Sequence, residues 1–331
     1  ADKDKSLQQI VSTLEDKLGR SVAFVEDCGD ASLQAACLAS NPSVVLLENL
    51  RFYPEEKKND LAFAEQLASW GDVYINDAFG TAHRAHASTA GIAQFFSAEH
   101  RSFGLLMQAE IDNANNALSQ GDAPKVAILG GAKVSDKLMI IENLCRKVDA
   151  ILIGGGMSYT FKAAQGGQIG NSLCEEDRFD DARRLLELAA GEGCTIHLPA
   201  DSVCADAFSN DANTRVCASD DIPEGWMGLD IGPQAAAHYT EVIAQAKTII
   251  WNGPMGVFEM PSFQAGSKAV AEALANVSNQ GAYTLVGGGD SVAAVHQFDL
   301  ASSMSFISTG GGALLELLEG KTLPGIHAIA G

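Results

Sequence analysis

Apolar positions along this chain fall into two alternating periods, one of helices and one of short buried strands. Leu7, Ile10, Val11, Leu14 and Leu18 recur at helical spacing, and Gly19 stops that helix. Ser21 to Glu26 reads as a strand, Ala31 to Ala39 as a helix, and Ser43 to Glu48 as another short apolar run. An amphipathic helix over Asn59 to Trp70 precedes a strand over Asp72 to Asn76. The second half repeats the scheme: strand Lys125 to Leu129, helix from Ser135, strand Ala150 to Ile153, helix from Met157. Strand Thr248 to Trp251, helix from Ser262, strand Tyr283 to Val286 and helix from Ser291 follow. Apolar strands alternating with helices predict parallel sheets covered on both faces.

Leu106, Ala109, Ile111, Ala114 and Leu118 mark one helix over Leu105 to Gln120, and Gly121-Asp122-Ala123-Pro124 ends it. The domain junction is expected there, with the helix as a hinge. A chain of 331 residues is long enough for two domains. Hydrophobic residues at 47% and charged residues at 19% fit a globular protein and exclude disorder. No apolar run reaches bilayer length and Ala1 to Ser6 is charged, so neither a membrane span nor a secretory signal is expected, and the chain reads as cytosolic. The net charge of −20 disfavours nucleic acid and anionic lipid as partners. Seven cysteines, none at C-x-x-C spacing, predict free thiols in a reducing compartment.

Chemistry concentrates where glycines follow apolar strands. AILGGAKVSDK holds Gly130, Gly131, Lys133 and Lys137; ILIGGGMSYTF holds Gly154, Gly155 and Gly156. IIWNGPMGVFE holds Asn252, Gly253, Pro254, Gly256 and Glu259; LVGGGDS holds Gly287, Gly288, Gly289, Asp290 and Ser291. Singly, each glycine is an ordinary turn and Asp290 an N-cap. Four such turns with a lysine pair, an acid and an amide point to a nucleotide, because glycine lets backbone approach phosphate and lysine supplies compact charge. Asp290 also suits a carboxylate reaching a phosphate-bound Mg²⁺. Neither a P-loop nor a G-x-G-x-x-G fingerprint occurs, which disfavours a dehydrogenase. In the first half, Arg51 follows a strand in LLENLRFYPEE, and Arg84 lies between His83 and His86 in NDAFGTAHRAHAS. These histidines read as satisfied loop residues, and no further ligand nearby supports zinc.

The ordered motifs LLENLRFYPEE, NDAFGTAHRAHAS, GGAKVSDK, IGGGMSYTF, GLDIGP, WNGPMGVFE, GGGDS and STGGGALLELLEGKTLPG span Leu46 to Gly325, and the chain resembles the phosphoglycerate kinase family. The resemblance implies an α/β fold: two Rossmann-like doubly wound parallel-sheet domains joined by a hinge helix, with the N-terminal domain incomplete. Residues 1–104 would form the partial glycerate-binding domain, 105–120 the interdomain helix, 121–307 the nucleotide-binding domain, and 308–331 a segment packing back across the hinge. It implies a carboxyl-acceptor phosphotransferase moving a phosphoryl group between 1,3-bisphosphoglycerate and MgADP, giving 3-phosphoglycerate and MgATP, and acting as a monomer. Arg51 and Arg84 would contact the glycerate ligand. Lys133 and Lys137 would face the phosphates, joining Arg84 as catalytic groups, with Lys137 nearest the transition state. Gly155, Gly156, Gly228, Asn252, Pro254 and Glu259 would line the nucleotide pocket. Gly288, Gly289, Asp290 and Ser291 would hold phosphates and Mg²⁺, with Asp290 the metal residue.

The family's R-V-D-F-N strand and S-H-L-G-R-P loop do not occur in the sequence. The expectation is therefore a fragment that binds MgADP or MgATP, turns over slowly or not at all, and has a destabilised N-terminal sheet. The competing readings are a non-catalytic nucleotide-binding relative that uses Lys133 and Asp290 as a sensor, and a Rossmann-type oxidoreductase.

Overall fold

The computed structural model describes residues 3–331. They divide into two compact units, one running to Gln108 and regaining Thr322–Gly331, the other Ala109–Lys321. The boundary falls inside the helix expected at the junction.

The first unit holds strands β1 (Ala23–Val25), β2 (Val45–Leu47), β3 (Tyr74–Asn76) and β4 (Arg101–Phe103). Each is parallel to one neighbour: β1 pairs with β2, and β3 with β4. Its helices are α1 (Val11–Leu18), α2 (Ala31–Ala39), α3 (Pro54–Lys57) and α4 (Leu61–Ala68). Gly19 ends α1 in the left-handed conformation at φ 62°, as its position predicts. Asp60 caps α4, accepting from the Phe63 amide at 2.9 Å. Cys28, Phe63, Ala64, Leu67, Ala87 and Ile92 form a small core.

Helix α5 (Leu105–Asn115) crosses the unit boundary. The expected helix to Gln120 is corrected here: Asn116–Gln120 widens into a π turn, closed by the Gly121 amide donating to the Asn116 carbonyl at 2.6 Å.

The second unit contains β5 (Lys125–Leu129), β6 (Ala150–Ile153), β7 (Gln168–Ile169), β8 (Thr195–His197), β9 (Asp201–Ala205), β10 (Thr214–Ala218), β11 (Asp221–Ile222), β12 (Met227–Ile231), β13 (Thr248–Asn252), β14 (Tyr283–Gly287) and β15 (Phe306–Ile307). Helices α6 (Leu138–Leu144), α7 (Met157–Ala164), α8 (Phe179–Glu192), α9 (Pro233–Gln245), α10 (Ala265–Asn279), α11 (Gly289–Gln297) and α12 (Gly312–Leu318) belong to it, and α13 (Pro324–Ala330) lies in the first unit. Six strands make one all-parallel sheet in the order β15-β14-β13-β5-β6-β8. Its central strands are buried almost throughout because helices cover both faces. The main core gathers Trp251, Tyr239, Leu274 and Val286 around it.

Expectations of sheet direction and of helix starts are revised in this unit. A second sheet, β10-β9-β12, is antiparallel, whereas the alternation of strand and helix predicts parallel sheets. The helix expected from Ser135 starts at Leu138, because Glu175 takes both the Ser135 amide at 2.9 Å and its hydroxyl at 2.6 Å. Helix α11 starts two residues before Ser291, and α10 three after Ser262. All seven cysteines are free. Among the described residues no helix is long and apolar enough to cross a membrane.

Candidate nucleotide and phosphate site

In an open parallel sheet the loops beyond the strands' C-terminal ends converge. Here the turns after β5, β6 and β13 are sewn together by their own backbone. The Gly130 amide donates to the Asn252 carbonyl at 3.0 Å, Gly131 to Pro254 at 3.2 Å and Gly155 to Met255 at 2.9 Å. Glycine is required at 155: φ is +67°, and a Cβ there would stand 2.6 Å from the Gly131 carbonyl oxygen.

Two adjoining cavities open on these turns. The polar one, about 400 Å³, is lined by Lys133, Lys137, Asn252, Gly288, Gly289, Asp290 and Ser291, with Asp136 beside them. The apolar one, about 490 Å³, is lined by Gly155, Gly156, Gly228, Pro254 and Glu259 together with Leu173, Phe208, Met227 and Val257. Gly131, Ala132 and Asp290 line both, so the two are continuous.

In the polar cavity Lys137 Nζ donates to Asn252 Oδ1, and Asn252 Nδ2 donates to the Gly287 carbonyl at 2.9 Å. Buried Asn252 therefore ties the lysine to the end of β14. Burial pushes the Lys137 ammonium below the ordinary lysine value, with Asp136, Asp290 and Glu319 opposing. Helix α11 begins behind Gly288 without a side-chain cap, which leaves its first amides to an anion. The Ser291 hydroxyl accepts from the Gly253 amide at 2.5 Å and locks the β13 turn to α11. Asp290 is exposed in the first turn rather than at the N-cap. Lys133 is exposed, and its charge helps hold neighbouring Glu175 low, where burial works against the Ser135 hydrogen bonds.

In the first unit, Arg51 and Arg84 are both exposed and meet one loop. Arg51 Nη1 lies 3.4 Å from His86 Nε2, and Arg84 Nε donates to His83 Nε2 at 3.2 Å. Burial, then the Arg51 charge, pushes the His86 imidazole below its usual value, which leaves Nε2 an acceptor at neutral pH. Buried Glu56 fixes the loop by accepting from the Ser88 amide at 3.0 Å and hydroxyl at 2.7 Å. Neither Arg51 nor Arg84 forms a salt bridge among the described residues.

The structure thus gathers every expected residue of the second unit around one groove. It adds Leu173 and Phe208, whose signal in sequence is only two isolated apolar residues in polar surroundings.

Comparison with known proteins gives the family. The family model described as phosphoglycerate kinase matches residues 1–321. The chain is 53% identical to phosphoglycerate kinase of Herpetosiphon aurantiacus, over 98% of this chain and 81% of that protein. It is 52% identical to the Moorella thermoacetica phosphoglycerate kinase over the same shares. The structure of phosphoglycerate kinase from Coxiella burnetii superposes with a TM-score of 0.90 at 40% identity, covering 100% of this chain and 82% of the other. The chain belongs to the phosphoglycerate kinase family.

Proposed function

We propose that the groove binds a magnesium nucleoside diphosphate or triphosphate and that the chain serves phosphoryl transfer between it and a glycerate acyl phosphate. The observation that carries this is the join of the two cavities: an apolar slot sized for a base opens into a chamber of lysines, glycine amides and two carboxylates, Asp136 and Asp290. Glu259, at the rim of the apolar slot, is placed for the ribose. Lys133, Lys137, the α11 amides and Gly288–Ser291 take the phosphates.

A magnesium ion fits the donor set at Asp290. No group of three or more histidine, cysteine or acidic side chains able to cage a metal exists among the described residues. The ion would thus share its shell among Asp290, phosphate oxygens and water, as Mg²⁺ prefers. When bound, it neutralises charge on the phosphates.

A carboxylate or a diphosphate is already a nucleophile, so no general base is needed. The chain's own work is to hold its anionic substrates and to stabilise charge on the phosphoryl group; in the second unit Lys137 would do so, and in the first Arg51 and Arg84 would hold the glycerate ligand. The domain roles follow: glycerate in the first unit, nucleotide in the second. Turnover is expected to be slow, because Arg51 and Arg84 sit on turns that follow β2 and β3, each a strand of a two-strand sheet.

Calorimetric titration with MgADP tests the reading. Wild type is expected to bind, Asp290→Ala to lose the magnesium dependence, and Lys137→Ala to bind with transfer slowed about 10²- to 10³-fold. Unchanged transfer in Lys137→Ala, or equal binding of ADP with and without Mg²⁺ in wild type, would overturn it. Binding without transfer even in a complete coupled assay would favour the non-catalytic relative.

A further inference from the structure

The sheet β10-β9-β12 carries a cluster that phosphoryl transfer leaves unused. Cys204 on β9 is the ladder partner of Arg215 on one side and of Gly228 on the other. Ser202, Cys204, Arg215 and Cys217 share one face, since paired and alternate residues point the same way. Cys217 is half-buried, and Arg215 Nε donates to its sulfur at 3.2 Å. The guanidinium is seated over the Trp226 ring, 4.4 Å from its centroid. Cys204 is fully buried with Cys217 as its neighbour, and its thiol donates to the Ser202 carbonyl at 3.7 Å. Burial, then that neighbour, pushes the Cys204 thiol up to about 12, so it keeps its proton at neutral pH. The other adjacent thiols, Cys145 and Cys194, are both buried away from solvent.

We propose that Cys217 is a site of reversible oxidation by hydroperoxides, resolved by Cys204 and coupled to the pocket wall at Gly228. The Cys217 sulfur attacks a peroxide oxygen. An S–O bond forms, the O–O bond breaks, and the electron pair leaves on the second oxygen, which takes up the Cys217 thiol proton. Cys204 sulfur then attacks the sulfenic sulfur. Its proton and the departing hydroxyl leave as water, and the disulfide remains. Two thiols are oxidised by two electrons and the peroxide is reduced to an alcohol or water. A dithiol reductant reverses the step.

The consequence for the pocket follows from ladder geometry and rests on the nucleotide reading above. Diagonal neighbours on paired strands stand ~7–8 Å apart, whereas disulfides span at most ~6.8 Å between Cα atoms. Closing the bond draws β10 and β9 together. β9 is hydrogen-bonded to β12 at Gly228, and that glycine lies against the Tyr159 ring with no room for a Cβ. Tyr159 in turn donates to Ser202 Oγ at 3.0 Å, so the wall moves with the strand.

The full chain is titrated with hydrogen peroxide without nucleotide, and its thiols are mapped by mass spectrometry. Expected are loss of two hydrogens, a crosslink joining the Cys204 and Cys217 peptides, and reversal by dithiothreitol. Cys204→Ser is expected to trap Cys217 as a sulfenic acid that dimedone labels, and Arg215→Leu to slow labelling about tenfold. Labelling of half-exposed Cys37 or Cys174 at least as fast as Cys217 would overturn the assignment. MgADP affinity of the oxidised protein is expected to fall about tenfold and to recover on reduction. Unchanged affinity in a verified disulfide form overturns the coupling. Failure of the reduced protein to bind MgADP overturns the nucleotide reading and the coupling together, while the thiol chemistry is judged by mass alone.

Discussion

Asp230, hidden inside the GLDIGP motif, ties the pocket to the fold behind it. It is 2% exposed. Oδ1 accepts from the Ile231 amide at 2.9 Å and Oδ2 from the Gly266 amide at 2.7 Å, in the first turn of α10. A Cβ at pocket-lining Gly256 would strike this carboxyl. Burial pushes Asp230 up to about 7, against the two amides that pull it down. An unfolded aspartate titrates near ~3.9, so between about pH 4 and about pH 7 the folded chain holds the extra proton. The stability from this group is therefore fully present below ~pH 4 and lost as pH rises through about 7, on the order of a few kcal/mol. Asp230→Asn should flatten that limb. Melting temperature against pH, wild type minus variant, should slope across this window; parallel curves would place the ionisation elsewhere.

At the scale of elements, helix ends decide what holds the loops. Helix α9 opens with Pro233 at its first position, but its amides are satisfied from β9: Asp201 accepts from Gln234 at 3.1 Å and Ala235 at 2.8 Å. Asp201→Ala leaves the buried Ala235 amide and the more exposed Gln234 amide unpaired and should cost about 1–3 kcal/mol, read as a lower denaturant midpoint at unchanged slope. Asp201→Asn should recover part of it, and an unchanged midpoint in the alanine variant would remove the capping role. This contact also marks the limit of what sequence makes legible. Lys125–Leu129 and Ala150–Ile153 read correctly to the residue, because strands buried on both faces show continuous apolar runs with glycine after them. Thr214–Ala218 lies on the surface as an edge strand with mixed polarity, and no period betrays it. The polar end of the groove is legible through its glycine turns. The apolar wall is not, since Phe208 sits in the β9–β10 hairpin and reaches the pocket only through antiparallel pairing. Nor does any local pattern join Lys137 to Asn252, which are 115 positions apart.

At the scale of the whole molecule, the two units differ in how their backbone is secured. The second has six parallel strands whose interior members hydrogen-bond on both edges and whose helices bury large side chains such as Trp251 and Tyr239. In the first, each described strand pairs with a single partner over three residues, leaving the outer edges without a ladder. Two-strand sheets are marginal in water without further support. Ile75 of β3 is 61% exposed, so even its side chains return little burial. Local opening free energy scales with such burial and pairing, and amide exchange reads it directly. Residues 21–80 should therefore exchange orders of magnitude faster than β5, β6, β13 and β14, whose amides should open only with global unfolding. MgADP should slow exchange further in the second unit, by mass action on the folded form, and leave residues 21–80 unchanged. Equal protection in both units would show that the first is held by more than its own strand pairs. Protection of residues 21–80 by MgADP alone would show that nucleotide binding is felt in the first unit.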